Sequence, residues 1–147
     1  MSTLFVCITC RREADPPAEV RPGARLYAAL KQQETDLEIV PVECLSNCTR
    51  SCTATVAAPG KWTYVVGHLD PERNVADILE FARLHRASAD GLTAWRERPV
   101  HVRQNTIARV PPPDSSARVI APWSCVEVHL LAVSNSVRNL KALGSDE

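Results

Sequence analysis

Neither sign of charge prevails in this chain of 147 residues, where 17 Lys and Arg stand against 17 Asp and Glu. That balance removes the broad electrostatic attraction behind non-specific binding to nucleic acids and acidic membranes. Long apolar runs are missing as well: "VEVHLLAV" falls far short of the about 20 apolar residues that span a bilayer. The opening "MSTLFVCITCRR" lacks the basic n-region and the extended apolar run of a secretory signal. A cytoplasmic location is expected, with no membrane and no nucleic acid among the partners. Structural disulfides are disfavoured there, because glutathione and thioredoxin keep thiols reduced. Histidines at metal-ligand spacing are absent too; His68, His85, His101 and His129 are scattered and expected at the surface or at caps. No phosphate-binding loop, nucleophile–base pair, acid pair or internal repeat is visible, so the chain does not read as an enzyme.

What the sequence does have is thiols in two tight groups. Cys7-x2-Cys10 lies in "FVCITC", and Cys44-x3-Cys48-x3-Cys52 lies in "VECLSNCTRSC". Cys125 stands apart and is expected to be a free, partly buried thiol. Thiolates are soft ligands for zinc, copper(I) and iron–sulfur clusters. Structural zinc sites usually pair one C-x2-C with another or with histidines, a pattern that the x3 spacings fit poorly. Iron–sulfur clusters accept more varied spacings and are the preferred reading, with zinc as the alternative. A thioredoxin-type redox pair requires its first sulfur at a helix N-terminus, which lowers the thiol pKa. The polar, proline-rich "RREADPPAEVRPG" after Cys10 does not continue as a helix, and a redox pair would leave Cys44, Cys48 and Cys52 unexplained.

The composition, 45% hydrophobic and 23% charged, is that of a globular domain. "TLFVCI" reads as a buried strand ending near Cys7. A helix is expected just after Pro22-Gly23, with Leu26, Ala29 and Leu30 on one face. "LEIVPVE" reads as a second strand, ending early or lying at an edge because Pro41 cannot donate to a ladder. After the cysteine loop, Thr53 to Ala58 and Lys61 to Val66 form a hairpin around Pro59-Gly60, a type II turn pair. "LDPERNVADILEFARLH" predicts a helix capped by Asp70, with Pro71 at its first position. Its apolar stripe is Val75, Ile78, Leu79 and Ala82, and Gly91 is its end marker. "TAWRERPVHVRQNTIARVPPP" reads as an irregular, locally basic arm with a short strand, "NTIARV". The order strand, helix, strand, cysteine loop, hairpin, helix predicts a thioredoxin-like α/β fold with a small mixed sheet. Both cysteine-bearing loops then emerge at one end of that sheet. The expected domain covers residues 3–113, and 114–147 form a C-terminal extension with no assigned role.

"CLSNC", the hairpin and "WTYVVGHLDPE" resemble the second half of thioredoxin-like 2Fe–2S ferredoxins. More closely, "VCITCRR", "RPGARLY", "PVECLSNCTRSC", "APGKWTYVVGHLDP", "DGLTAWRERP" and "IARVPP" resemble a bacterial family of unknown function. Its members are described as predicted metal-binding proteins and often occur beside cobalamin-biosynthesis genes. The resemblance implies a 2Fe–2S centre held by Cys7, Cys44, Cys48 and either Cys10 or Cys52. Cys10 is favoured because it keeps two ligands in each loop. The sequence departs from typical thioredoxin-like ferredoxins, which place about ten residues between their first two cysteines and carry no third cysteine in the second loop. The implied role is electron transfer, in a corrinoid or tetrapyrrole pathway.

Around the thiols, Thr9, Ser46, Asn47, Thr49 and Ser51 offer donors, and Arg11, Arg12 and Arg50 offer positive charge that would raise a cluster's potential. Trp62 and Tyr64 share a sheet face and are expected in the core. Trp95, flanked by Arg96 and Arg98, has the composition of an interface for an acidic redox partner.

Overall fold

The structure, a computed structural model, describes residues 1–11 and 19–113. The expected extension at 114–147, with Cys125 and His129, lies outside the described residues, as does Arg12. A five-stranded sheet runs in the order β2-β1-β3-β4-β5, with strands at Thr3–Cys7, Glu38–Val42, Ala54–Ala57, Thr63–Val66 and Thr106–Val110 in chain order. The first two strands pair in parallel through the crossover helix α1 (Pro22–Lys31), and the other neighbours pair antiparallel. Helices α2 (Val75–Ala87) and α3 (Val100–Asn105) precede β5. This is the mixed α/β, thioredoxin-like arrangement predicted from the element order, with β5 added at the hairpin edge.

Strand β1 alternates as a strand with one face in the core must: Leu4 and Val6 are fully buried. Pro41 lies within β2, and β2 is an edge strand, where a missing N–H interrupts no second ladder. The hairpin turns at Pro59-Gly60, with Gly60 at φ 69° and the Lys61 N–H donating to the Ala58 carbonyl at 3.2 Å. Only glycine takes that backbone shape without steric cost. Tyr64 and Phe81 meet edge to face at the centre of the core, 5.1 Å between centroids, a geometry adding about 0.5–1.5 kcal/mol beyond burial.

The second helix departs from expectation at both ends. Asp70 does cap, with its Oδ1 accepting from the N–H groups of Glu72 (2.8 Å) and Arg73 (3.1 Å). What it caps is a turn through Pro71, and the regular helix begins one turn later, at Val75. The helix stops at Ala87 rather than near Gly91, because Lys61 reaches in from the hairpin. Its Nζ donates to the carbonyls of His85, Arg86 and Ser88 at 3.3, 2.8 and 2.5 Å, meeting orphan acceptors and the negative end of the dipole. The arm is also more regular than expected. Residues 100–105 form α3, whose single fully buried side chain, Val102, is too little to show as periodicity.

His85 is not the surface or capping residue expected but is completely buried on α2. Its Nε2 lies 2.7 Å from the Trp62 carbonyl and its Nδ1 2.9 Å from Ser2 Oγ. A carbonyl only accepts, so Nε2 carries the proton and Nδ1 accepts from the Ser2 hydroxyl. The neutral ring is thus fully satisfied, tying the N-terminus and β4 to α2. Burial first, then the Lys61 charge, hold its pKa below 6.5, against the pull of the Trp62 carbonyl. A base depressed in the fold contributes stability that is present above its unfolded pKa and lost as pH falls. His85→Leu is therefore expected to cost about 1–3 kcal/mol at pH 7, from the partners left unsatisfied. The variant should also lose less stability than the parent between pH 7 and pH 5, as urea unfolding at each pH would show.

Candidate metal centre

The first cysteine segment is set by β1. Cys7 ends the strand, and the Ile8 N–H continues the parallel ladder to the Val42 carbonyl at 2.9 Å. The chain beyond β2 is thereby laid alongside: Cys7 Sγ donates to the Glu43 carbonyl at 3.6 Å, and the Thr9 hydroxyl donates to the same oxygen. On the other side the Cys7 N–H donates to the Thr53 carbonyl at 3.1 Å, which fixes the residue after Cys52. Both cysteine-bearing segments therefore meet at one end of the sheet, as the element order predicted.

The first turn of α1 closes over this junction. The Gly23 N–H points to the Cys10 carbonyl at 3.4 Å, and Arg21 Nη1 donates to the Thr9 carbonyl at 3.0 Å. A Cβ on Gly23 would stand 2.1 Å from the Cys7 carbonyl oxygen and 3.0 Å from Cys10 Cβ, so the approach depends on a missing side chain. Arg21 and Gly23 were not singled out as site residues in the sequence. The signal is "RPG" directly before an apolar helical stripe, where glycine weakens a helix unless close approach requires it.

The thiols divide into two groups. Cys7, Cys10 and Cys52 are buried, and Cys10 is hydrogen-bonded to the side chains of both others. The Cys52 thiol first, then burial, push the Cys10 thiol far above its ordinary range; hydrogen bonds from Cys7 and the Thr53 backbone pull the other way without reversing this. Cys44 and Cys48 are exposed on the loop outside them, with Cys44 Sγ accepting from the Ser46 N–H at 3.2 Å. Of the expected set Cys7, Cys10, Cys44 and Cys48, the structure thus joins Cys7 and Cys10, adds Cys52 to them, and leaves Cys44 and Cys48 on the flank. Among the described residues, no three His, Cys, Asp or Glu side chains stand ready to close on a metal ion.

Several expected donors serve the loop rather than sulfur. The Asn47 amide donates to Thr53 Oγ1 at 2.9 Å, and the Ser51 hydroxyl to the Arg11 carbonyl. Thr9 keeps a contact to Cys7 Sγ at 3.8 Å. The thiol-redox reading needs a different objection from the one the sequence offered. A helix N-terminus does lie beside Cys10, supplied through space by α1. What opposes an activated thiolate is the burial and hydrogen bonding that keep Cys10 protonated. The same donor set fits a soft metal centre by its chemistry: all sulfur, in two segments that share one end of the sheet, with no carboxylate or imidazole among the donors. Loading it means exchanging thiol–thiol hydrogen bonds for metal–thiolate bonds, with release of protons.

Elsewhere, Trp62 is half-buried beneath the Arg109 guanidinium, 4.8 Å from its ring centroid. Trp95 is 59% exposed, so it is not a clamp holding the arm down. Arg98 is engaged behind it, donating to the Thr93 carbonyl at 2.7 Å and stacked 5.1 Å from the Tyr64 ring and 5.7 Å from that of Trp95.

Residues 4–112 match a family described as DUF1636, proteins of unknown function. The chain belongs to that family. No match was found among curated proteins. Among solved structures, the chain is similar to a thioredoxin-like [2Fe-2S] ferredoxin from Aquifex aeolicus, at 21% identity and a TM-score of 0.48, over 78% of this chain and 96% of that one. A 1.5 Å crystal structure of the wild-type thioredoxin-like [2Fe-2S] ferredoxin from Aquifex aeolicus is similar at 19% identity and a TM-score of 0.44, over 73% of this chain and 96% of that one. No helix among the described residues is long and apolar enough to cross a membrane.

The Gly23 contact gives a direct test of how the Cys7–Cys10 turn is seated. Gly→Ala adds up to about 1 kcal/mol of helix propensity, whereas overpacking against an unyielding backbone costs about 1–3 kcal/mol. Gly23→Ala is expected to be net destabilising in denaturant unfolding. It should also speed the reaction of the buried thiols with a disulfide reagent, as α1 lifts from the turn.

Proposed function

We propose that this DUF1636 protein is an electron carrier built on an iron–sulfur centre of the 2Fe–2S type, held at the shared end of β1, β2 and β3. The observation that supports it is the position of Cys7, in contact with the backbone beside Cys44 on one side and hydrogen-bonded to Cys10 on the other. The ligands are Cys7, Cys10, Cys44 and Cys48, with Cys52, buried against Cys10, as the alternative fourth ligand. Such a centre supplies one-electron chemistry, and the chain's part is to fix the sulfurs, limit water and tune the potential by charge and hydrogen bonds. The Ser46 N–H donor to Cys44 Sγ and the charge of Arg50 between Cys48 and Cys52 act in that direction. The exposed Trp95 and Arg96 form the contact for an acidic redox partner, with Arg98 bracing Trp95 from behind. On the resemblance of its motifs, the pathway served is corrinoid or tetrapyrrole synthesis.

Zinc is the second reading, favoured by the all-sulfur donor set and by Cys10, which interacts with both Cys7 and Cys52. Anaerobic purification with iron, sulfide and zinc analysis separates the two. The expected product is brown, contains iron and sulfide in equal amounts, bleaches with dithionite and gives an EPR signal when reduced. A colourless protein with one zinc would replace this reading with the second. Cys7→Ser, Cys44→Ser and Cys48→Ser are each expected to abolish the chromophore, and comparison of Cys10→Ser with Cys52→Ser assigns the fourth ligand.

A further inference from the structure

A second feature lies at the same end of the sheet and uses none of the thiols. Where β4 ends beside the start of β5, with Val66 opposite Thr106, a cleft of about 290 Å³ opens between Arg50, His68, Gln104, Asn105, Thr106 and Ile107. Its frame is fully bonded. The His68 N–H donates to the Arg50 carbonyl at 2.7 Å, and the Gly67 N–H to the Asn105 carbonyl at 3.0 Å. His101 Nε2 donates to the Gly67 carbonyl at 3.1 Å, and Asn105 Nδ2 to the His101 carbonyl at 2.9 Å. A Cβ on Gly67 would come within 2.7 Å of the Arg50 carbonyl and 2.5 Å of Ile107, so the walls approach this closely only because residue 67 has no side chain. His68 is held at φ 52°, a left-handed conformation uncommon outside glycine and one that collects at functional sites.

The frame is satisfied, and Arg50, His68 and Gln104 at its rim are exposed. Among the described residues, no hydrogen bond or ion pair engages the Arg50 guanidinium, the His68 imidazole or the Gln104 amide. Among the described residues, no carboxylate lines the cleft. A permanently charged planar donor, an imidazole and an amide among the residues lining one small volume make a surface richer in donors than acceptors, and its complement is an oxyanion. The volume lies just below the about 300–1,000 Å³ of ligand clefts, which suits a small organic or inorganic anion and not a nucleotide cofactor.

We infer that this cleft binds a small oxyanion, a carboxylate or a phosphate, with Arg50 as the principal contact and His68 and Gln104 as supporting donors. The site does not depend on a metal at the thiols, so its failure and that of the electron-carrier reading are separate results. The test is an amide ¹H–¹⁵N titration of the full chain with succinate and, in parallel, with inorganic phosphate, ionic strength being held constant with sodium chloride. Saturable shifts centred on residues 50, 67, 68 and 104–107 are expected with at least one of the two anions. Arg50→Gln should weaken that binding at least tenfold while leaving the rest of the spectrum unchanged; should that variant not fold, His68→Gln is read in its place, with a weakening of at least threefold. Saturation by succinate alone assigns a carboxylate ligand, and by phosphate alone a phosphate. Shifts that rise linearly without saturating for both anions, or that persist undiminished in the variant, overturn the site.

Discussion

The junction of the thiol segments depends on β1 being paired on both sides in a single register. Cys7 lies opposite Val42 in the parallel pair, and Val6 lies opposite Ala54 in the antiparallel one. In sequence, Cys44 follows Val42 by two residues and Cys52 precedes Ala54 by two. The ladders alone therefore bring three cysteines to the end of one strand before any loop has to adopt a special shape. The register is in turn held by burial. Slipping β1 by one residue would turn Leu4 and Val6, both fully buried, to the opposite face. The hydrophobic pattern of a five-residue strand thus decides where the sulfurs meet.

The two halves of the thiol group obey different physics. Cys10 and Cys52 sit in the core, where burial disfavours the thiolate and a thiol–thiol hydrogen bond is the least costly way to satisfy the sulfur. Cys44 and Cys48 face water. A bound cation reverses the preference of the buried pair, because a metal favours the thiolate that burial opposes. Any metal uptake is then strongly linked to proton release at the buried sulfurs, whichever metal is taken.

Much of this was legible in the residues, for reasons that differ from element to element. Pro59-Gly60 specifies its turn by backbone chemistry that needs no tertiary information, and Pro41 marks an edge by the donor it lacks. The spacing of Leu26 and Leu30 shows α1 because that helix covers the sheet with one apolar face. The late start of α2 was hidden because Asp70 caps the turn preceding it as competently as it would a helix. Its early end was hidden because the cap is Lys61, remote in sequence. Helix α3 buries one valine and leaves no period to read. At the site, the pairing of two cysteine segments followed from strand order, whereas the preference of Cys10 for Cys52 is a matter of depth, which spacing does not encode. Gly23 and His85 act only through contacts with distant segments, and for such residues the sequence carries the residue type without its partner.

The thiol group and the anion-suited cleft are linked through one short stretch of backbone. Arg50 lies between Cys48 and Cys52, and its carbonyl accepts from the His68 N–H that shapes the cleft. A charge on either side is therefore felt on the other across that short stretch, screened by the water around the exposed Arg50, Cys44 and Cys48. An oxyanion resting on Arg50 would cancel a positive charge adjacent in sequence to the exposed Cys48, lowering the potential of a centre held there and weakening the attraction of that centre to the cation. A metal centre of net negative charge would, by the same reciprocity, weaken the hold of Arg50 on an anion. With both proposed sites occupied, the strand ends of this sheet would hold two ligands that oppose each other electrostatically, and the sign of that coupling follows from the position of a single arginine.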